Sequence, residues 1–286
     1  MRNLEREVLK KITGNGILMP LQAKSSLSEV FHENTKLTPL SGREYSRHIA
    51  RMTASPQAKR LMAVPYKVYS LFDQVEMEQP EPRTALEESI LARKSQRAYT
   101  GEPVSLEELS RLLFFTYGRT GPKRNLRPVA SGGALYPLEF YVAARNVSGL
   151  EPGLYHYSVE HHKLDVLKRG DCWDAVQRYV WLQDIEAEKA AMVVVITAAF
   201  MRSTTKYKDR GYRMVLMEAG EAAQNFALLC ASHGLGACLL GGFLDDPLAE
   251  LLGLDGVDEA PLLPIVVGRL PGGEEASAAD GGGGGE

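Results

Sequence analysis

The apolar run from Met192 to Ala199 most constrains the fold of this chain. It is too short for a typical helix, rich in β-branched residues and without polar alternation, which is typical of a strand buried on both faces. The later segment from Gly211 to Ser232 places its apolar residues at helical spacing, with the small residues Gly220 and Ala222 between them. This spacing predicts a long, largely buried helix, either a core helix alone or one that also forms a subunit interface. We therefore expect a sheet covered by helices.

Two capping boxes add helices before this region. Thr84 with Glu87 begins one over about 85–95, and Ser105 with Glu108 begins another whose leucines share one face. Patterns of apolar residues predict strands at 138–145, 154–157, 163–167, 237–240 and 262–267, and helices at about 172–183 and 247–252.

The chain divides into three parts. Residues 1–82 form a polar N-terminal segment with short helices predicted at 44–52 and 57–63, a brief extended piece at 65–69 and a proline-rich linker at 78–82. Residues 83–270 form the main domain. The glycine-rich, acidic residues 271–286 are expected to be disordered.

Composition excludes several classes of protein. With 33 basic and 36 acidic residues among 286, the net charge of -3 gives no broad attraction to nucleic acid or to an anionic membrane. The sequence has neither a secretory signal nor an apolar run of the roughly 20 residues that cross a bilayer, so we expect a cytoplasmic protein. The 3 cysteines lack metal-site spacing, and Lys36 stands where a zinc-protease motif starting at His32 needs a second histidine. We therefore predict no metal site.

Two separated motifs favour a phosphorylated, planar cofactor. Arg93 and Arg97 offer guanidinium groups, and Ser95 between them offers a hydroxyl. Small residues, whose backbone N–H groups can approach a ligand closely, follow at Ser131, Gly132, Gly133 and Ala134. Arg269, after the last predicted strand, could add another cation for the phosphate if that strand ends near the pocket.

A glycine-rich stretch near the C-terminal end of the domain has two interpretations. Gly234 and Gly236 begin like a dinucleotide-binding fingerprint, but its third glycine is Leu239 and the motif follows a helix. The remaining interpretation of Gly234 and Gly236 is a tight turn from a helix into a strand. Gly241 and Gly242 are either part of such turns or a bare backbone able to lie against a ring.

Taken together, these motifs resemble the flavin-binding signatures of the nitroreductase superfamily, in the form carried by SagB-type dehydrogenases, the azoline oxidases of peptide natural-product pathways. The resemblance covers about residues 27–270 and includes 31–36. It implies an α+β sandwich in which helices flank a central mixed, mainly antiparallel sheet, with FMN at a homodimer interface. It also implies that Arg93, Ser95 and Arg97 contact the FMN phosphate and ribityl chain, with Arg269 a further phosphate ligand. Ser131, Gly132, Gly133 and Ala134 would lie beside the isoalloxazine, opposite Gly241 and Gly242.

The resemblance also assigns a catalytic pair. The segment from Thr205 to Arg213 matches the Lys-Tyr region of the azoline oxidases, which implies catalytic roles for Lys206 and Tyr207. Aromatising an azoline removes a proton from one carbon and a hydride from its neighbour, and flavin N5 can accept the hydride. A lysine acts as the base near neutral pH only when burial or nearby cations lower its pKa, and Arg210 and Arg213 are such cations. Tyr207 would relay the proton or orient the ring.

The chain departs from the family pattern at two positions. Glu221 stands where the family commonly has histidine, and Lys208 where it has glycine, so both are expected to alter substrate contacts. The leading hypothesis is an FMN-dependent oxidase of azoline-containing peptides with a separate cyclodehydratase as partner. The alternatives are an NAD(P)H-dependent nitro or quinone reductase, and a scaffold subunit of a peptide-modifying complex.

Overall fold

A computed structural model of the protein describes residues 26–62, 66–67, 69, 71–121, 125–180 and 187–271. The predictions for the first 25 residues and for the tail from 272 onward lie outside these ranges, as do parts of the extended piece predicted at 65–69. Residues 78–82, the predicted linker, have no regular secondary structure and are mostly exposed. The described residues include no helix that is both long and apolar enough to cross a membrane.

A six-stranded sheet forms the centre of the fold. Its strands are β2 (Leu138–Ala144), β4 (Gly153–Ser158), β5 (Lys163–Arg169), β6 (Met192–Ala199), β7 (Leu235–Leu239) and β8 (Glu259–Arg269). They lie in the order β5-β4-β2-β6-β8-β7. All five neighbouring pairs are antiparallel. Parallel pairing occurs between β1 (Val104–Ser105) and β3 (Val147–Ser148), and at a bridge from Ser95 to Ala237. The α+β fold with helices on a mainly antiparallel sheet is confirmed.

The strand predicted at the centre is there. β6 pairs with β2 on one side and β8 on the other, and seven of its eight residues are buried, with Ala199 partly so. Because helices cover both faces, this strand needs no polar alternation. Its side chains divide between two hydrophobic clusters, with Val194 and Ile196 in one and Val193 and Val195 in the other.

The long helix covers one face of the sheet. It runs over Asp209–Ser232 and buries Tyr212, Val215, Ala219 and Phe226 in the larger cluster. Ala222 is also buried, so of the two small residues singled out in the sequence only Gly220 faces outward. In chain order the described α-helices are α1 (Leu27–Thr35), α2 (Pro39–Ala54), α3 (Pro56–Met62), α4 (Ala85–Ala92), α5 (Leu106–Tyr117), α6 (Trp173–Val180), α7 (Met201–Tyr207), α8 (Asp209–Ser232) and α9 (Asp245–Leu252).

The capping boxes define helix starts as predicted. In α4, Thr84 accepts from Glu87 N while Glu87 accepts from the Thr84 backbone, and Ser105 and Glu108 do the same in α5. The first of these helices ends at Ala92, three residues before the predicted end, and Arg93 is its extended C-cap. The three-residue difference leaves Ser95 free to bridge β7.

Candidate active site

The structure brings the predicted glycine loop and the predicted catalytic pair together. A Cβ added at Gly133 would lie 2.6 Å from Tyr207 Oη and 2.8 Å from Lys206 Nζ. The missing side chain is therefore what lets these two polar atoms approach the loop backbone. Lys206 Nζ also lies 5.1 Å from the ring centroid of Tyr207. Lys206 is exposed and Tyr207 is partly buried in the single chain.

The loop holds an unusual backbone conformation. Gly133 has φ +70°, and the non-glycine residues Ala134 and Tyr136 have φ +55° and +45°. Ser131 holds the two ends of this short segment together, because its carbonyl accepts from Ala134 N at 3.0 Å and its Oγ accepts from Tyr136 N at 2.9 Å. Positive φ in residues with a Cβ costs energy, so the surrounding contacts must maintain the loop.

A buried carboxyl group beneath the loop supplies one of these contacts. Glu218 of α8 is 3% exposed and accepts a 2.7 Å hydrogen bond from Tyr117 Oη, while Tyr117 Oη accepts from Leu138 N at 3.2 Å. Burial raises the pKa of Glu218, although hydrogen bonds from Ser131 and Tyr117 oppose the shift. The network joins α5 and α8 to the loop and to the first residue of β2.

A second network holds α7 against the same loop. Arg202, one helical turn before Lys206, donates from Nη1 to the carbonyl of Tyr136 at 3.2 Å and pairs with Glu139 at 2.5 Å. His156 lies between two carboxylates, 2.9 Å from Glu139 and 3.2 Å from Asp165.

The charges of this network shift one another's protonation. Burial opposes the charged form of Glu139, but His156 and Arg202 outweigh it and lower the pKa of Glu139. Burial likewise opposes the charged form of His156, yet hydrogen bonds to Glu139 and Asp165 raise its pKa. The lowered pKa of Glu139 and the raised pKa of His156 both favour the charged forms, as in an ion pair.

The junction between α7 and α8 is strained and clamped. Lys208 has φ +51° and ψ -144°, a combination that side chains other than glycine rarely adopt. The next residue, Asp209, accepts from Ser28 N at 3.1 Å and from Ser28 Oγ at 2.8 Å. Tyr212 and His32 interact one turn later, at 3.2 Å. Helix α1 thus fastens the start of α8 beside Lys206 and Tyr207.

The residues predicted to bind phosphate lie elsewhere. Ser95 bridges Ala237 of β7, and Thr100 donates to the carbonyl of Arg269 at 3.0 Å, so the segment carrying Ser95 and Arg97 follows this side of the sheet. Within the described residues neither Arg93 nor Arg97 has an acidic partner, and Arg97 and Ser95 are exposed.

Arg269 is already engaged. Its Nη1 and Nη2 donate to the two carboxylate oxygens of Glu108 at 3.0 and 2.9 Å, and Nη2 also donates to the Pro103 carbonyl at 3.2 Å. Burial opposes the charge on Glu108, but the contacts with Arg269 and Ser105 lower its pKa. A phosphate contact from Arg269 stays a prediction, and it would have to share the guanidinium with Glu108.

Within one chain, the predicted phosphate ligands lie at one end of the sheet, and the glycine loop with Lys206 and Tyr207 lies at the other. Leu138, which follows the glycine loop, pairs with Ala198 near Glu259, where β8 begins, whereas Arg269 ends β8. The 11 residues of β8 span roughly 30 Å at about 3.3 Å per residue.

Gly241 and Gly242 follow β7. They come directly after Leu240, whose backbone N–H donates to the carbonyl of Pro264. Gly241 is exposed and Gly242 buried, and a Cβ at Gly241 would meet no described atom within 4 Å.

The side chains and backbone present fit a phosphorylated ring cofactor. Arg93 and Arg97 have guanidinium groups free of carboxylates in the described part of the chain, and Ser95 exposes its hydroxyl. Gly133 presents bare backbone to the Lys206 amine and the Tyr207 phenol, which a Cβ at that position would meet at 2.8 and 2.6 Å. These are donors suited to a phosphate and to a polar ring edge.

Sequence reasoning missed the supporting residues. Three of them, Arg202, Glu139 and His156, lie on three different elements. The β2–β4 register places Tyr141 opposite His156, and Glu139 lies two residues from Tyr141 on the same face of the sheet. Only this pairing brings the carboxylate and the imidazole together. Glu218 carried one usable signal, because a glutamate on the apolar face of a buried helix implies a partner.

The six-stranded antiparallel sheet with helices on both faces is the α+β fold of the nitroreductases. The chain belongs to the Nitroreductase family, whose family model matches residues 90–269. It is therefore placed among oxidoreductases, and members of this family generally bind flavin.

Sequence relatives fall into two kinds. A protein named as a nitroreductase, MJ1384 of Methanocaldococcus jannaschii, is 38% identical over 69% of this chain and 98% of its own length. The microcin B17-processing protein McbC of Escherichia coli is 29% identical over 56% of this chain and 60% of its own length. The trifolitoxin-processing protein TfxB of Rhizobium leguminosarum is 30% identical over 50% of this chain, but the match spans only 39% of TfxB.

Solved structures agree on the fold. A protein described as a nitroreductase from Anabaena variabilis superposes with a TM-score of 0.57 at 31% identity, over 65% of this chain and 38% of its own. A chain of the E. coli microcin synthetase McbBCD complex with truncated pro-MccB17 bound gives a TM-score of 0.62 at 23% identity, over 88% of this chain and 100% of its own. At that identity the second likeness shows the fold alone. The resemblance stated from the sequence motifs is confirmed for the family.

Proposed function

We propose that this protein is an FMN-dependent dehydrogenase that oxidises thiazoline or oxazoline rings of a ribosomally synthesised peptide to thiazoles or oxazoles. The observation that carries the proposal is the approach of Lys206 Nζ and Tyr207 Oη to the bare backbone of Gly133. The relation to McbC and TfxB, both named for peptide processing, supports the substrate class.

In this proposal each group has a stated task. Arg93, Ser95, Arg97 and Arg269 would hold the FMN phosphate and ribityl chain, and Gly132, Gly133 and Ala134 with Gly241 and Gly242 would border the ring. Bound FMN would supply the acceptor for the hydride. Lys206 Nζ would take the proton from the neighbouring ring carbon, and Tyr207 Oη would relay that proton or orient the azoline.

A homodimer would complete the site. The residues proposed to bind the phosphate and the Gly133 loop lie at opposite ends of β8, so in this proposal a single chain does not surround one cofactor. A second copy would bring its own glycine loop and lysine to the first copy's arginines. The partner would also cover Lys206, which is exposed in the single chain and needs desolvation to act as a base.

A separate heterocycle-forming enzyme would supply the azoline. Oxidation needs a ring already closed, and a cyclodehydratase is the class of enzyme that closes it. The sequence relation to McbC, which is named for microcin B17 processing, supports such a partner, since the solved E. coli microcin synthetase McbBCD is a complex.

A second candidate is an NAD(P)H-dependent nitro or quinone reductase. The exposure of Lys206 and the relation to MJ1384 favour it. Lys206→Ala separates the two candidates, because quinone reduction needs no lysine base. We expect azoline oxidation to fall by roughly 10²- to 10⁴-fold, while quinone reduction, if present, stays within about twofold. If Lys206→Ala oxidised the azoline as fast as the wild type, the proposal would be contradicted.

A further inference from the structure

Lys208 has a backbone conformation that a glycine would adopt without strain. Its φ of +51° combined with ψ of -144° lies outside the left-handed helical region that asparagine and aspartate tolerate. The neighbouring clamp from Asp209 to Ser28 holds the junction in place. A side chain kept where its backbone is strained points to a use for that side chain, since strain of this kind concentrates at functional sites.

Lys208 also belongs to an unpaired basic patch. Lys208, Arg210 and Arg213 are all exposed, and none of them has an acidic partner among the described residues. The nearest acid in sequence, Asp209, is directed to Ser28. This patch is local, because the whole chain carries a net charge of -3.

The patch borders the candidate active site. Lys206 and Tyr207 immediately precede Lys208, and Met214, one residue after Arg213, has its sulfur 3.0 Å from the position of a Cβ at Gly132. An extended peptide advances about 3.3 Å per residue, so residues flanking a ring at Gly133 would come within reach of cations that closely follow Lys206 and Tyr207 in the chain. Exposed, unpaired cations attract anionic groups through charge complementarity, which sets specificity and association rate.

We infer that Lys208, with Arg210 and Arg213, binds acidic side chains of the peptide segment that flanks the reacting azoline. The inference rests on the proposed function and gives its substrate a second feature, negative charge beside the ring. Lys208 thereby acts in substrate selection, whereas Lys206 and Tyr207 act in the chemistry. The strained backbone is the cost of placing a cation at this position.

Two synthetic peptides provide the test. Both contain one thiazoline and are equal in length, with glutamates beside the ring in one and glutamines in the other. Binding to FMN-loaded protein is followed by fluorescence anisotropy at low and high salt, and turnover by mass spectrometry. We expect the wild type to bind the glutamate peptide more tightly, and salt to weaken this preference.

Three variants of Lys208 separate its charge from its strain. Lys208→Ala and Lys208→Gly should each weaken binding of the glutamate peptide by about threefold and leave kcat unchanged. Lys208→Arg should retain binding. Only Lys208→Gly should raise Tm, by roughly 2–4 °C, because it alone relieves the strain. Lys163→Ala, which removes an exposed lysine from the edge strand β5, is the matched control and should change nothing.

The outcomes also distinguish this inference from the proposed function. Equal affinity and KM for both peptides, with the thiazoline oxidised, would overturn the inference and leave the proposed function standing. Lys208-dependent binding of the glutamate peptide without any oxidation would support the inference and overturn the proposed function. If NADPH instead displaces the glutamate peptide and its own binding depends on Lys208, the patch recognises a nucleotide phosphate and the inference is wrong.

Discussion

Arg202 Nη1 donates a hydrogen bond to the backbone carbonyl of Tyr136 across 3.2 Å. This bond joins helix α7, which carries Lys206 and Tyr207, to the loop that carries Gly133. The same guanidinium pairs with Glu139 at the start of β2, so one side chain fixes the helix to both the loop and the sheet. The relative position of the amine and the glycine backbone therefore depends on a residue that touches neither.

Removing Arg202 should impair catalysis more than folding. Arg202→Met leaves Glu139 without its cation and Tyr136 without its donor, at a cost of about 1–3 kcal/mol in the free energy of unfolding. We expect azoline oxidation to fall by at least about tenfold, because Lys206 loses its fixed position. Arg202→Lys can reach one partner at a time and should be intermediate. Denaturant unfolding and steady-state kinetics on both variants provide the measurement, and full activity in Arg202→Met would contradict this role.

Gly133→Ala places a methyl group between the loop and the proposed catalytic pair, Lys206 and Tyr207. Because the atoms it meets are the mobile ends of Lys206 and Tyr207, we expect the fold to adapt and these ends to be displaced. Gly253 provides the control, since it has φ +78° and ψ +24° against +70° and +17° at Gly133, and its Cβ would meet no described atom within 4 Å.

Both alanine variants should lose roughly 1–2 kcal/mol of stability to the left-handed backbone. Only Gly133→Ala should lose azoline oxidation. Equal activity of the two variants at equal stability would show that the contact with Lys206 and Tyr207 has no catalytic importance.

His156 makes the stability of the sheet depend on pH. Its pKa is raised in the folded protein by Glu139 and Asp165, so its contribution is fully present below the ordinary value of 6.5 and is lost as pH rises through the folded pKa. His156→Gln cannot take up the proton. The difference in unfolding free energy between wild type and variant should therefore shrink as pH rises above 6.5. Urea unfolding at a series of pH values measures it, and a constant difference would rule out the charged pair.

The elements of the fold were largely predictable from the sequence because their signals are local. Met192–Ala199 is the central strand, and the Ser105–Glu108 box begins a helix as predicted. The predicted end of the first capped helix at 95 was wrong: the helix ends at Ala92, because the chain after Arg93 becomes extended and Ser95 bridges Ala237, which is a tertiary contact. Helix α2, predicted at 44–52, extends over Pro39–Ala54 because Thr38 caps it earlier.

Only part of the candidate site could be predicted in the same way. The proximity of Gly133 to Lys206 and Tyr207 agrees with the family resemblance, but it could not be predicted from the spacing or the composition of the sequence. The pairing of Arg269 with Glu108 was also not predictable. In the sequence, the capping box with Ser105 already accounts for Glu108, so nothing indicates a second partner. The assignments of Arg93, Ser95, Arg97, Gly241 and Gly242 stay predictions.

The central claim is tested most directly by a single turnover without oxygen. FMN-loaded wild type and Lys206→Ala are mixed with a thiazoline peptide, and bleaching of the flavin absorbance is followed together with the loss of two hydrogens from the peptide. We predict one thiazole per bound FMN in the wild type and a rate roughly 10²- to 10⁴-fold lower in the variant, at equal FMN content. Equal rates in the two proteins, or an FMN-loaded wild type that forms no thiazole, would contradict the account.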